Sequence, residues 1–111
     1  MELQEGCLLR IYVSEVDVYG EERLDQALLR AAHDAGLGGA TVLRGIGGYG
    51  RNALAAKYFD FSAEAIPLVI EIIDADEKKI LGFLPTIEKM IEGGAVALER
   101  VRFAAIVPPA P

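Results

Sequence analysis

Residues 67–74 read PLVIEIID, and this run decides how the rest of the chain is read. A proline at its head fixes φ and suits the first residue of a strand. β-Branched residues fill the run, with apolar side chains in both phases of the strand alternation. Upstream, residues 40–46 (ATVLRGI) predict a second strand that runs into a glycine cluster. Residues 7–14 (CLLRIYVS) predict another, with Leu9, Ile11 and Val13 on one face and Leu8, Arg10 and Tyr12 on the other. Downstream, residues 96–107 (VALERVRFAAIV) predict a long last strand, again apolar in both phases.

Two helices separate these strands. Over residues 21–36, Leu24, Ala27, Leu28, Ala31 and Ala35 keep a helical stripe, with acidic residues in the first turn and Gly36 as the stop. Over residues 76–93 the stripe is Ile80, Leu84, Ile87 and Ile91, and Gly93 and Gly94 end it. Pro85 is expected to kink this helix, because proline removes a backbone donor and crowds the preceding turn. The order β-α-β-β-α-β is the ferredoxin-like pattern, an α+β fold with a four-stranded antiparallel sheet and both helices on one face. The other face is open in a single copy, yet its strands carry apolar residues in both phases, so it wants a second cover. Only four residues follow Val107, and 108–111 (PPAP) read as a loose tail. Other copies of the chain are therefore expected to cover the open face.

Composition sets the remaining bounds. At 111 residues the chain is read as one domain, 1–111, long enough to bury about two thirds of its unfolded surface. It is 52% hydrophobic and 25% charged, with a formal net charge of −6. That sign argues against nucleic acid or an anionic membrane surface as the main partner. A single cysteine, Cys7, excludes an internal disulfide and a multi-cysteine metal site. No apolar run reaches about 18 residues, and no basic stretch precedes an apolar one at the start. These features predict a cytoplasmic protein without direct membrane insertion.

The most unusual stretch is GIGGYGR at 45–51. It matches G-x-G-x-x-G at Gly45, Gly47 and Gly50, with Asp74 at a tempting distance for a dinucleotide fold. That reading fails because a whole β-α unit precedes the glycines and only a short broken helix could follow. A P-loop is absent, since no Gly-Lys-Ser/Thr follows. Two readings of the residues stay open. The glycines form a bulged strand end and turn, or their N–H groups and Arg51 surround an anion. Residues 51–66 then separate two strands that would otherwise form a hairpin, and connections this long are usually functional or disordered. Arg51, Asn52, Lys57, Tyr58, Phe59, Asp60 and Phe61 mix charge with aromatic surface, which suits an arm that orders on a ligand or partner.

Other chemistry-bearing residues read blandly. His33 sits beside Asp34 off the helical stripe and, alone, founds no zinc site. Cys7 reads as a small buried hydrophobe. Glu71 and Asp74 suit pairing with Arg10, Arg100 or Arg102 across the sheet, and Asp74, Asp76 and Glu77 suit a helix start. Tyr12 suits a subunit interface with its hydroxyl paired. No Ser-His-Asp set is present, and Glu2 stands where a trimeric tautomerase needs proline.

The run AGLGGATVLRGIGGYG, then IPLVIEIID, then FLPTIEKMI and EGGAVALERV, resembles the PII-like superfamily of signalling proteins, in its domain-of-unknown-function 190 branch. The likeness spans residues 10–101. It implies a trimer built through the open sheet face, with adenine nucleotides in clefts between subunits and a T-loop-like arm at 51–66. The PII motif GFGRQ is met here by Gly48, Tyr49, Gly50, Arg51 and Asn52. The resemblance thus implies backbone access at Gly48 and Gly50 and a phosphate contact from Arg51. Asn52 stands where a PII glutamine helps hold magnesium, one methylene shorter, so a bound nucleotide can carry magnesium although the chain offers no metal site of its own. Gly93 and Gly94 fall near the second PII phosphate loop, and Lys57, Tyr58, Phe59 and Phe61 would form the partner-binding loop.

The chain departs from PII where Ala95, Val96 and Ala97 replace a lysine, and Arg100 and Arg102 lie too early for the C-terminal arginine pair. With fewer cations, a smaller adenylate such as ADP or AMP is implied. Three functional readings follow. The first is a non-enzymatic regulator that senses a small anionic metabolite and signals through its loop to an enzyme or membrane transporter, with ion transport suggested by the branch. The second is a ligand-free oligomeric interaction module. The third is a small oligomeric enzyme using Glu71, Asp74 or Tyr49.

Overall fold

The computed structural model describes residues 1–49 and 66–106. Its strands are β1 (Gln4–Ser14), β2 (Val18–Tyr19), β3 (Glu22–Arg23), β4 (Gly39–Arg44), β5 (Pro67–Asp74) and β6 (Ala95–Phe103). Its helices are α1 (Leu24–Asp34) and α2 (Glu77–Met90). The four long strands form one antiparallel sheet in the order β4-β5-β1-β6. This is the ferredoxin-like arrangement. β1 is central, with Ile11 opposite Ile70 on one side and Val96 on the other.

Alternation on β1 and β5 sets the core. Leu9, Ile11, Leu68, Ile70 and Ile72 are buried beneath the helices, which contribute Leu24, Ala27, Leu28, Ile80, Phe83 and Ile87. A fully buried side chain of this size contributes about 1.5–3 kcal/mol. The opposite phase (Leu8, Arg10 and Tyr12; Val69, Glu71 and Ile73) forms the open face and remains partly or largely exposed.

The first helix is shorter than its sequence suggests. Glu22 and Arg23 pair with Val18 and Tyr19 in a two-stranded ribbon, so α1 starts at Leu24 and not at residue 21. Asp17 organises the approach: its side chain accepts from Ser14 N at 2.8 Å, and its carbonyl accepts from Leu24 N at 2.9 Å. The buried phase also shifts, since Ala32 is buried while Ala35 is exposed. Gly36 ends the helix as expected. It adopts φ +77°, and Leu37 N donates back to Ala32 O at 3.1 Å, closing the last turn with a left-handed residue.

α2 begins where Asp76 accepts from Lys78 N at 3.0 Å, an N-cap. It runs without interruption through Pro85. Pro85 and Leu81, whose carbonyl the proline leaves unbonded, both lie at the exposed surface, where water can serve the orphan oxygen. Phe83 and Met90 are buried, whereas Leu84 and Ile91 pack only partly against the core. The last strand stops at Phe103, and residues 107–111, including the expected tail, lie outside the described residues.

Candidate functional site

The glycine cluster leaves the end of β4. Gly45 N donates to Pro67 O at 2.7 Å, and a Cβ on Gly45 would meet the Pro67 ring at 2.8 Å. This glycine is therefore needed for close packing against the head of β5. Beyond it, Gly48 has its nearest neighbour atom at 3.8 Å from where a Cβ would stand, and Tyr49 is 94% exposed. Gly50, Arg51 and Asn52, with Lys57, Tyr58, Phe59 and Phe61, lie outside the described residues.

The second glycine pair precedes β6. Gly94 has φ +129°, and a Cβ there would overlap the Tyr12 carbonyl oxygen, so only glycine fits. Register shows how the two loops relate. Tyr12 faces Ala95, Ser14 faces Pro67, and Arg44 faces Leu68, so both loops leave the same end of the sheet. They leave from opposite edges, because β4 and β6 are the outermost strands. Three ladder spacings separate those edges, about 14 Å. One copy therefore does not bring Gly48 and Tyr49 together with Gly93 and Gly94.

Beside Gly93 and Gly94 lies a groove of about 430 Å³ between α2 and β6. Leu84, Ile87, Ile91, Val96 and Leu98 give it apolar walls, and Glu88 and Glu92 add carboxylates. The sequence carries a signal for it, since Leu84 and Ile91 belong to the helical stripe. What the stripe does not reveal is that α2 leaves them half covered.

On the open face, Arg10 reaches across three strands. Its Nε donates to Glu71 Oε2 at 3.0 Å and its Nη1 to Glu99 Oε1 at 2.8 Å. Hydrogen bonds to Glu99 and then Glu71 raise the guanidinium pKa further above its ordinary value. Glu71 thus takes the cross-sheet pairing expected of it. Asp74 does not pair with an arginine: it is buried and accepts from Gly38 N at 2.8 Å and Asp76 N at 2.7 Å. Arg100 and Arg102 lie well along β6, about 20 Å from Gly94 at Arg100 by strand rise, and so away from the glycine loop.

Cys7 is 2% exposed. Burial first, then the negative charges of Glu77 and Asp74, raise its thiol pKa, against a lowering by Arg100. It is a packed hydrophobe. His33 is exposed beside Asp34 at 3.5 Å. Among the described residues no group of three or more His, Cys, Asp or Glu side chains is placed to hold a metal, and no helix is long and apolar enough to cross a membrane.

The chain has the ferredoxin-like fold found in PII-like proteins. It shares that fold with a PII-like signalling protein of Thermus thermophilus (TM-score 0.63, 18% identity, 93% of each chain). It shares it also with CPII of Thiomonas intermedia K12, a nitrogen regulatory PII-like protein solved with ADP, AMP and bicarbonate (TM-score 0.62, 16% identity, 92% of this chain and 91% of that one). Residues 6–103 match the DUF190 family, described as "Uncharacterized ACR, COG1993", and the chain belongs to that family. A UPF0166 protein of Aquifex aeolicus (strain VF5) is 41% identical over 102 residues, covering 91% of this chain and 95% of the relative. A UPF0166 protein of Methanocaldococcus jannaschii is 29% identical over 91 residues, covering 82% and 83%.

Proposed function

We propose that this protein is a non-enzymatic regulator that binds a small anionic metabolite, an adenine nucleotide, in clefts between copies, and signals to a protein partner through residues 51–66. The observation that carries the reading is the placement of the two glycine loops at one end of the sheet on opposite edges. A cleft holding both loops needs a second copy. The open face supplies a reason for copies to associate, since Leu8, Val69 and Ile73 lie on it only partly buried and Tyr12 lies exposed. Three copies is the number that the PII likeness implies.

The structural neighbour CPII is bound to ADP and AMP on the same fold, which supports the ligand class. Charge supports the smaller adenylates. Ala95, Val96 and Ala97 follow Gly94 without a lysine, and Glu88 and Glu92 line the adjoining groove. A triphosphate with about four charges would meet too few cations there. Arg51 is the chain's own cation at the first loop, and magnesium would arrive with the nucleotide.

Titration calorimetry with AMP, ADP and ATP, with and without magnesium, tests the reading. The monophosphate or diphosphate should bind more tightly than ATP. Arg51→Ala should weaken binding by about 1.5–3 kcal/mol, roughly 10- to 150-fold. Equal affinity in both proteins removes Arg51 from the site, and no heat with any adenylate favours the ligand-free interaction module.

A further inference from the structure

The groove between α2 and β6 carries two features that one copy leaves unused. Its apolar walls include Leu84 and Ile91, which are only partly buried, and Val96, which is 44% exposed. Two carboxylates join them, Glu88 in the last turn of α2 and Glu92 just past its cap. Negative charge at a helix C-terminus opposes the helix dipole. Neither carboxylate makes an ion pair among the described residues. The groove therefore suits an apolar side chain accompanied by a cation. The opposite edge of the sheet ends in such a pair. Arg44 closes β4 with its side chain 63% exposed and bonded to Glu15, and two residues on Ile46 is 77% exposed.

Register brings the two edges to one height. Arg44 opposes Leu68, Leu68 opposes Val13, and Val13 follows Tyr12, which opposes Ala95. Arg44 thus stands level with Gly94, at the glycine end of the groove. Facing agrees as well. Opposed residues share a face of the sheet, and Leu68 and Ile11, the partners of Arg44 and Val96, both lie in the core beneath the helices. We propose that the groove receives the end of β4 from the next copy, with Ile46 entering its apolar walls and Arg44 reaching Glu88 and Glu92. The contact is head to tail, each copy giving its β4 end and receiving another's, so a closed ring leaves no groove empty. It rests on the cleft reading above and adds what fixes the cleft. Arg44 and Ile46 lead directly toward Gly48, and so hold that loop beside Gly93 and Gly94 of the next copy. Paired with Arg44, Glu88 and Glu92 no longer repel an anion bound there.

Cross-linking on the full chain tests the contact, with circular dichroism to establish that every variant folds. Ile46→Cys/Ile91→Cys treated with a bifunctional maleimide should give species of two copies or more on a denaturing gel. Each single variant should give monomer alone, since Cys7 is buried and does not compete. Adding Arg44→Glu to the pair should remove most of the product, and adding Glu88→Lys/Glu92→Lys with it should restore the product. Glu15→Gln should leave the yield unchanged, which separates the contact between copies from the ion pair within one. No cross-link while light scattering shows several copies overturns this contact and leaves the clefts standing. A link through either single variant also overturns it, because copies would then meet like to like. So does a yield indifferent to Arg44→Glu, or one that the reversed charges fail to restore. A monomeric mass removes the contact and the clefts together. A cross-link without calorimetric heat from any adenylate keeps the contact and removes the nucleotide.

Discussion

Arg10 on β1 stands directly opposite Glu71 on β5 in the ladder and donates to it at 3.0 Å, while its second nitrogen holds Glu99 on β6. One guanidinium thus satisfies two carboxylates from strands on either side of it. Replacing Arg10 by leucine should lower the melting temperature, because two like charges then face each other across β1 without a cation. Salt screens such repulsion. The difference from wild type should therefore shrink between low and high ionic strength in thermal melts.

Asp74 accepts from two backbone donors, Gly38 N and Asp76 N, and so joins the start of β4 to the start of α2. Asp74→Asn keeps one acceptor oxygen and turns an N–H₂ toward the other donor. A loss of about 1–3 kcal/mol is expected, the range for a buried donor left unpaired. Urea denaturation measures it.

Gly94 and Gly36 separate two kinds of glycine requirement. Both have positive φ, but a Cβ at Gly36 would meet nothing within 4 Å, whereas one at Gly94 would strike the Tyr12 carbonyl. Gly36→Ala should cost about 1 kcal/mol from backbone conformation alone. Gly94→Ala should cost more, about 2–4 kcal/mol with strain and steric overlap combined. The two denaturation midpoints should rank in that order.

Burial raises the Cys7 thiol pKa above its ordinary value of 9.0. In the unfolded chain the thiol gives up its proton near that value, while the folded chain retains it. The stabilising contribution is therefore complete below pH 9.0 and falls as pH rises through the folded value. Native protein should resist thiol alkylation at neutral pH and become reactive on unfolding. Cys7→Ala should flatten the alkaline loss of stability.

β5 is legible to the residue because proline, β-branched residues and a closing aspartate mark both ends of one short run. The start of α1 is not, for a physical reason. Glu21 and Glu22 look like the acidic first turn of a helix, but two-residue strands such as Val18–Tyr19 have no periodicity to betray them. Gly93 and Gly94 read as the stop of the second helix, yet α2 already ends at Met90 with Ile91 as its cap. What Gly94 serves is the close approach to the Tyr12 carbonyl, a contact between residues too distant in sequence to be read there. The separation of the two glycine loops follows from strand order. It can be read only once the β-α-β-β-α-β pattern is granted, since neither loop carries a local sign of which edge it leaves. The Arg10 triad needs register as well as order, and pairing across the sheet is as far as composition alone can reach.

The central position of β1 has a consequence for how the protein is made. Its two ladder partners arrive late, with Glu71 lying 61 residues and Glu99 89 residues beyond Arg10. Pairings this distant in sequence slow folding, because a long loop must close before any ladder bond forms. On a ribosome, α1 and β4 emerge before β5, the strand that pairs with β4 and joins it to β1. The sheet is complete only when the last strand to be synthesised reaches the first, so a nascent chain stalled before β6 leaves an apolar edge of β1 exposed.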